Sequence, residues 1–137
     1  MTTGVLLVTH QGIGSTMLQV ARQIMNTSLD HVDYLEVGFD ADTIELAQAL
    51  ENRLSRVEQG AGVLILSDLI GATPCNLASN PARQNTLVVT GLNLPMLIRV
   101  YNYRERPLQE LARIAQEGAQ NGIFQLSQDN SINMKEP

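Results

Sequence analysis

The sequence predicts an α/β fold: an open, doubly wound and mainly parallel sheet of about four core strands, with helices on both faces. Short apolar runs without polar alternation indicate strands that are buried on both faces. The stretches between these runs carry apolar residues at helical spacing. At 137 residues the chain is long enough for one domain with its own core. Strands that alternate with amphipathic helices require right-handed crossovers, and such crossovers place helices on the faces of the sheet.

Apolar runs mark the predicted strands. The four core runs are Val5–Val8, Tyr34–Val37, Val63–Leu66 and Leu87–Val89. The second of these is the weakest. A further run, Asn121–Leu126, predicts a short strand at an edge of the sheet, and the polar residues 127–137 predict a loose tail. We therefore expect a single domain over residues 1–126, followed by this tail.

Amphipathic stripes predict the helices between and after the strands. Asp42 and Glu45 have the spacing of a capping box at the start of the second stripe, and Pro107 precedes the third. The three stripes consist of Met17, Leu18, Ala21, Ile24 and Met25; of Leu46, Ala47, Leu50, Leu54 and Val57; and of Leu108, Leu111, Ala112 and Ala115. A fourth apolar group is typical of a core-facing helix and consists of Met96, Leu97, Val100 and Tyr101.

Composition and charge exclude several classes of function. The net charge of −5 and the pI near 4.9 argue against nucleic-acid binding, which needs a basic surface. No apolar run approaches the ~18 residues that a membrane-spanning helix needs, and the first residues lack the pattern of a secretory signal. Cys75 is the only cysteine, which is typical of a reducing compartment. We expect a cytoplasmic protein that does not insert into membranes.

Two predicted strands end in residues that could carry chemistry. The first strand runs into His10 and the third into Asp68, while the fourth runs into the loop Gly91–Pro95. Parallel strands present their carboxyl ends at one edge of the sheet, and ligands bind in the crevice there. We therefore expect His10, Asp68 and this loop to meet at that edge. His31, in contrast, lies in a polar stretch and is expected on the surface.

The start of the first helix indicates an anion site beside His10. Gly12 and Gly14 allow close approach of the backbone, and Ser15 or Thr16 could cap the helix. Unpaired N–H groups at a helix N-terminus bind anions. The first turn of this helix is therefore a candidate phosphoryl-binding element, with Gly12 as its candidate residue.

A second helix start follows Asp68 and has the same character. Thr73 is an N-cap candidate, and Pro74 fits the first helical position. The residues before them, Gly71 and Ala72, are further phosphoryl-binding candidates. Two helix N-termini beside one histidine favour a dianionic group between them.

His10 and Asp68 form a candidate catalytic pair. A neutral imidazole can attack phosphorus, and the ordinary histidine pKa of ~6.5 keeps much of the ring neutral in a cell. A carboxylate bonded to Nδ1–H would leave Nε2 as the nucleophile. Such chemistry needs neither a nucleotide nor a metal ion, and the chain has no Walker A pattern.

Each residue also has a simpler interpretation. A lone histidine at a strand end is often only a polar residue with its hydrogen bonds satisfied, and Asp68 could cap a loop. The segment from Gly71 to Pro74 could be a turn into a helix, and Cys75 is most simply a small apolar residue in the first turn of that helix. The convergence of these residues at one edge favours phosphoryl chemistry.

Three motifs resemble those of a known family. They are "TH" at Thr9–His10, "DLIGATPCN" starting at Asp68 and "TGLNLPML" starting at Thr90. In this order they resemble the motifs of the EIIA domain of the mannose family of the bacterial phosphoenolpyruvate-dependent sugar phosphotransferase system. The resemblance covers roughly residues 4–126, and the second and third motifs together are fairly specific.

The resemblance implies a function and an assembly. His10 would accept a phosphoryl group from the phosphocarrier protein HPr and pass it to an EIIB-type partner. Asp68 would orient His10, and the Thr73 hydroxyl would donate to the phosphoryl oxygens. The resemblance also implies a homodimer in which the strand near Gly122–Leu126 crosses to the neighbouring subunit.

Departures from the family pattern affect the partner surface. Gln11 stands where the family usually has a small residue, and Cys75 replaces an aromatic residue. We expect the partner surface to include Gln11, Asn93, Leu94 and Pro95. With no EIIB-like domain in the sequence, we expect a stand-alone EIIA protein of a transporter or of a regulatory relay.

Three alternatives remain open at this point. A receiver-like domain would be phosphorylated on Asp68, but it needs an acidic pair after the first strand and a lysine after the last core strand. Here Thr9 and His10 occupy the first place, and the only lysine is Lys135 in the tail. A sensor module would share the fold and the phosphohistidine without passing the group on. The phosphoryl-donor subunit of dihydroxyacetone kinase would differ in its acceptor.

Overall fold

The computed structural model describes residues 2–69, 72–80 and 83–127, and in this part of the chain four strands alternate with helices. The strands are β1 (Gly4–His10), β2 (Val32–Val37), β3 (Val63–Ser67) and β4 (Thr86–Thr90). The helices are α1 (Gly14–Met25), α2 (Thr43–Val57), α3 (Thr73–Ala78), α4 (Leu94–Asn102) and α5 (Leu108–Asn121). The predicted order of strands and helices is confirmed.

The sheet is parallel throughout, in the order β2-β1-β3-β4. The chain leaves β1 to form β2 on one side and then returns across β1 to form β3 on the other. The strand order therefore reverses between β1 and β3, which is the position where open α/β sheets bind ligands. His10 is the last residue of β1, and Asp68 directly follows β3.

Two apolar cores cover the two faces of the sheet, which confirms the doubly wound prediction. Successive side chains of a strand point to opposite faces. Accordingly Val5 and Leu7 pack with residues of α1, α4 and α5, while Leu6 and Val8 pack with residues of α2 and with Ala78 of α3. All four β1 side chains are fully buried. The central strand is thus fixed from both faces.

The apolar stripes predict the positions of the helices correctly, but they include residues that the structure leaves exposed. In α1 the buried positions are Gly14, Leu18 and Ala21, whereas Ile24 is 59% exposed. In α2 the predicted core residue Ala47 is also exposed. Only an i, i+4, i+7 spacing reaches the sheet from a surface helix, so apolar residues beside that line stay in solvent. In the apolar group of α4, Met96, Leu97 and Val100 are buried as predicted, and Tyr101 is half-buried against the same core.

The strand expected over Asn121–Leu126 is not formed in the single chain. Asn121 is still part of α5, and residues 123–127 carry no regular secondary structure. Ile123, Phe124 and Leu126 are 75%, 55% and 65% exposed. A strand needs a neighbour that accepts its backbone hydrogen bonds, and among the described residues no strand pairs with this segment. The tail predicted over residues 127–137 falls almost wholly outside the described residues.

Within the described ranges, none of the helices α1 to α5 is long and apolar enough to cross a membrane.

The start of α2 yields a stability prediction. The Asp42 carboxylate accepts hydrogen bonds from the backbone N–H groups of Ile44 and Glu45, at 2.8 and 3.4 Å. Asp42→Ala removes both and should lower the free energy of unfolding by about 1 kcal/mol. Asp42→Asn keeps an N-cap acceptor and should lie close to the wild type. Urea unfolding of the three proteins tests this, and equal losses in both variants would contradict the capping role.

Candidate functional site

His10 and Asp68 are in direct contact at the carboxyl edge of the sheet. His10 Nδ1 lies 2.8 Å from Asp68 Oδ2, and the backbone N–H of His10 donates to the same oxygen at 3.1 Å. The two residues are 58 positions apart in the sequence. Parallel pairing of β1 with β3 brings them together, as the sequence predicted.

The surroundings of this pair fix the charge of Asp68. Burial by itself raises the pKa of the Asp68 carboxyl, but the hydrogen bonds from the His10 ring and backbone, and attraction to the ring, lower the pKa below its ordinary value. Asp68 is therefore an anion at neutral pH. A carboxylate can only accept a hydrogen bond, so His10 Nδ1 must carry the proton in this contact. The lone pair of a neutral ring is then on Nε2.

His10 is the more accessible residue of the pair. The side chain of His10 is 26% exposed, whereas that of Asp68 is 12% exposed. Asp68 lies behind the ring, as expected for a residue that orients the histidine without approaching an incoming anion. The geometry allows His10 Nε2 to act as a nucleophile towards a group at the surface.

The turn after His10 is held by β1 itself. The Thr9 hydroxyl donates to the carbonyl of His10 at 2.8 Å and accepts from the N–H of Gly14 at 2.9 Å. Gly12 has a φ of +91°, a left-handed conformation that favours glycine. Helix α1 starts at Gly14 with Ile13 as its N-cap and no side-chain capping bond. The prediction that Ser15 or Thr16 caps this helix is wrong, because the helix starts before both.

Glu36 of β2 occupies the N-terminus of α1. One of its oxygens accepts from the Ser15 N–H at 2.8 Å and from the Ser15 hydroxyl at 2.6 Å, and the Gly12 backbone also donates to this carboxylate. Burial by itself raises the pKa of the Glu36 carboxyl. These hydrogen bonds lower the pKa by more than burial raises it, so the net shift is downward. For Gly12 to bind a phosphoryl oxygen, its N–H would have to leave Glu36; that assignment stays a prediction.

The second helix start differs in detail from the prediction. Helix α3 has Ala72 as its N-cap, with no side-chain capping bond, and Thr73 is its first residue. Ala72 has an extended backbone, with φ −87° and ψ 168°, so the turn ends one residue earlier than predicted. The N-cap assignment of Thr73 is therefore wrong. The Thr73 side chain is exposed and remains available to a ligand, while Gly71 lies outside the described residues.

The loop after β4 has a structural role that the sequence did not reveal. The Asn93 side chain accepts from the Met96 N–H at 2.9 Å and donates to the carbonyl of Ala119 at 3.3 Å. It thereby caps α4 and ties it to α5. Leu94 and Pro95 are half-buried. Pro95 lies so close to Gly122 that a Cβ on this glycine would be only 2.4 Å from Pro95 Cγ. The assignment of Asn93, Leu94 and Pro95 to a partner surface stays a prediction.

Exposed apolar side chains lie in the loops that follow β1, β2 and β3, close in the chain to His10 and Asp68 or against the His10 ring. The ring of Phe39 is 6.0 Å from the His10 ring, centroid to centroid, and Phe39 is 93% exposed. Leu69, which follows Asp68, is 58% exposed, and Ile13 is 39% exposed. Gln11 is exposed as well. The sequence analysis missed Phe39, because it lies in a loop without periodicity; its position just after the carboxyl end of β2 was the available signal.

The remaining candidates fall where the sequence placed them. His31 is exposed, and Cys75 is buried in the first turn of α3. Across residues 2–69, 72–80 and 83–127, no group of three or more His, Cys, Asp or Glu side chains has the arrangement of a metal site.

Comparison with known proteins finds relatives over most of the chain. The sequence profile of the EIIA-man family, described as "PTS system fructose IIA component", matches residues 4–115. The PTS system mannose-specific EIIAB component of Escherichia coli (strain K12) is 26% identical over 129 residues, which make up 90% of this chain and 39% of that protein. The chain thus spans well under half the length of this curated relative.

Solved structures share the fold. The PTS IIA protein associated with the fucose utilization operon from Streptococcus pneumoniae has a TM-score of 0.75 at 25% identity, covering 91% of this chain and 96% of that one. The mannose/sorbose specific IIA subunit of the phosphotransferase system from Enterococcus faecalis has a TM-score of 0.83 at 22% identity, covering 96% and 99%.

The contact between His10 and Asp68 predicts a pH dependence of stability. The pKa of Asp68 is lower in the folded than in the unfolded chain, so its stabilising contribution is complete above the unfolded pKa of about 3.9. The contribution is lost as the pH falls through the lower folded pKa. We expect the difference in free energy of unfolding between wild type and Asp68→Asn to be constant above about pH 5 and to shrink below about pH 4.

The matched control for this experiment repeats Asp68→Asn in a His10→Ala background. The ring contact is absent there, so the pH-dependent part of the difference should be smaller. Chemical unfolding at a series of pH values measures both differences. A difference between wild type and Asp68→Asn that does not change with pH would contradict the account.

Proposed function

Because the chain belongs to the EIIA-man family of the phosphotransferase system, as its three motifs predicted, we propose that it relays a phosphoryl group through His10. The donor is the phosphocarrier HPr, and the acceptor is an EIIB-type partner. The observation that supports this most directly is the 2.8 Å contact between His10 Nδ1 and Asp68 Oδ2, which leaves Nε2 as the nucleophile. We place this relay in the cytoplasm.

The first step is an in-line transfer between two histidines. The lone pair of His10 Nε2 attacks the phosphorus of phospho-HPr, a P–N bond forms, and the P–N bond to the HPr ring breaks with its electron pair returning to that ring. The His10 ring keeps its proton on Nδ1 and becomes positively charged. The Asp68 carboxylate stabilises this charge, as the aspartate of a serine-protease triad does for its imidazolium.

The second step reverses the first. The nucleophile of the EIIB-type partner attacks the phosphorus, the bond to Nε2 breaks, and the neutral ring with Nδ1–H is restored. Asp68 stays ionised throughout, because its lowered pKa keeps the proton on the ring. The same resting geometry is therefore ready for the next phosphoryl group.

The phosphoryl oxygens are received mainly on the α3 side of the site. Thr73 is exposed in the first turn of α3, where its hydroxyl can donate to an anion. Ala72 precedes it with an extended backbone, and we assign Gly71 to the same phosphoryl-binding segment. On the α1 side, Gly12 contributes only when its N–H leaves Glu36.

Partners dock around the exposed ring of His10. The apolar side chains of Ile13, Phe39 and Leu69 border the site and are exposed. We propose that they form the contact surface for HPr and the EIIB-type partner, together with Gln11, Asn93, Leu94 and Pro95, of which Gln11 and Asn93 are the polar members. Apolar centres surrounded by polar residues are the usual anatomy of such interfaces.

Phosphorylation of His10 is the first prediction of this proposal. Incubation with phosphoenolpyruvate, enzyme I and HPr should add one phosphoryl group, visible by intact-mass analysis. The group should be labile in acid and stable in alkali. It should be absent from His10→Ala and present in His31→Ala, which serves as the control for a second, exposed histidine. Asp68→Asn should slow the gain roughly 10- to 100-fold, because the ring is no longer held.

Three results would contradict the proposal or change it. No mass gain with cognate components, or an equal gain in His10→Ala, would exclude His10 as the acceptor. Loss of labelling in Asp68→Asn but not in His10→Ala would indicate a receiver-like domain. Stable phosphorylation without onward transfer to an EIIB-type protein would indicate a sensor, or a donor to a different acceptor such as a dihydroxyacetone kinase.

We further propose a homodimer in which the segment near Gly122–Leu126 crosses to the neighbouring subunit. The apolar side chains of Ile123, Phe124 and Leu126 support this, since all three are exposed in the single chain. Deletion of residues 122–137 should weaken association in light scattering. The matched control deletes residues 128–137 and keeps these three side chains. A well-folded dimer after the longer deletion would contradict the exchange of this segment.

A further inference from the structure

Glu36 lies beside the reacting histidine on the side opposite Asp68. In the pairing of β1 with β2, Glu36 is the partner of Thr9, one residue before His10. Asp68, which directly follows β3, contacts His10 from the other side of β1. The central strand therefore ends between two carboxylates, one in β2 and one just after β3.

The hydrogen bonds of Glu36 all go to the turn that follows His10. Its Oε2 accepts from the N–H and the hydroxyl of Ser15, and its carboxylate also accepts from the Gly12 backbone. The ion pairs of residues 2–69, 72–80 and 83–127 do not include Glu36. Its charge is instead compensated by these donors and by the positive end of the α1 dipole.

This arrangement restrains both ends of the segment that carries His10. The strand side is fixed by pairing and by the Thr9 hydroxyl, which bridges the His10 carbonyl and the Gly14 N–H. The helix side is fixed by Glu36 through Gly12 and Ser15. Gly12 has a left-handed φ, so without such donors and acceptors this turn could adopt other conformations.

We propose that Glu36 is a positioning residue for phosphoryl transfer at His10. Its carboxylate holds the turn from Gly12 to Ser15 against β2 and fills the N-terminus of α1, which keeps the His10 ring aligned with Asp68. The inference rests on the proposed function, because it concerns the reactivity of the same histidine. Small displacements of a reacting group are costly: an error of ~1 Å can reduce a rate ~100-fold.

The test compares three variants with the wild type. Glu36→Ala removes the acceptor, Glu36→Gln keeps an oxygen that can accept from Ser15, and Ser15→Ala removes one of the donors. Glu45→Ala is the matched control, since Glu45 is an exposed glutamate in the first turn of a different helix, α2. Thermal unfolding first establishes which variants are folded at the assay temperature.

The main readout is single-turnover transfer from phospho-HPr over a range of donor concentrations. Glu36→Ala should lower the rate at saturating donor about 10-fold and change the half-saturating concentration less than about 2-fold. Glu36→Gln should recover most of that rate, and Ser15→Ala should lie between the two. A residue that only stabilises the fold would lower the unfolding temperature without slowing the folded protein at saturation.

Two further readouts do not depend on HPr. Phosphoramidate, a small-molecule phosphoryl donor, should label His10 more slowly in Glu36→Ala than in wild type and Glu45→Ala. In ¹⁵N NMR, the His10 ring of the wild type should show a protonated Nδ1, and Glu36→Ala should shift this signal towards a mixture of tautomers.

These arms separate the two proposals. If phospho-HPr does not label the wild type, the proposed function fails, while phosphoramidate labelling and NMR still decide the role of Glu36. The positioning role would be overturned by the following result. Glu36→Ala is folded, it reacts at the wild-type rate with whichever donor labels the wild type, and its His10 ring signals are unchanged. Slow transfer in Glu36→Ala with recovery in Glu36→Gln would establish it.

Discussion

The hydrogen bond between His10 Nδ1 and the Asp68 carboxylate is the interaction on which the candidate site and the proposed relay depend. It selects one tautomer and so leaves a single ring nitrogen for chemistry. It exists only because β1 and β3 are adjacent and parallel, which brings two strand ends together at the position where the strand order reverses. The two apolar cores that fix β1 from both faces therefore also determine the geometry of the site.

The candidate site is bordered by two carboxylates, and both are committed to hydrogen bonds. Asp68 is bound to the ring and backbone of His10, and Glu36 is bound to Ser15 in the first turn of α1. Both have lowered pKa values despite the opposing effect of burial. Each carboxylate thus acts through its hydrogen bonds on a different part of the segment that carries His10: Asp68 on the ring and Glu36 on the turn. In the proposed relay, binding of the phosphoryl group is left to Thr73 and the start of α3.

Much of this could be predicted from the sequence, because the strongest signals are periodic. Unbroken apolar runs predicted three of the strands and a weaker run, Tyr34–Val37, predicted the fourth; the parallel topology then placed His10 beside Asp68. Glu36 could not be found in this way, since it is one polar residue in a short strand and its partners lie across the strand pairing. The predicted N-caps were one residue too late at α3 and two or three too late at α1, because Ala72 and Ile13 are N-caps without a side-chain bond. The segment after Asn121 forms no strand in the single chain, because a strand needs a neighbour that accepts its backbone hydrogen bonds.

The position of the phosphoryl group on the ring tests the central claim most directly. Phosphorylated protein with ¹⁵N-labelled histidine can be analysed by ¹⁵N and ³¹P NMR, which distinguish the two phosphohistidine isomers. The account predicts phosphorus on Nε2 of His10 and a proton on Nδ1, because Asp68 occupies the Nδ1 side. Phosphorus on Nδ1 would contradict it, since the contact between His10 and Asp68 would have to break before the ring could react.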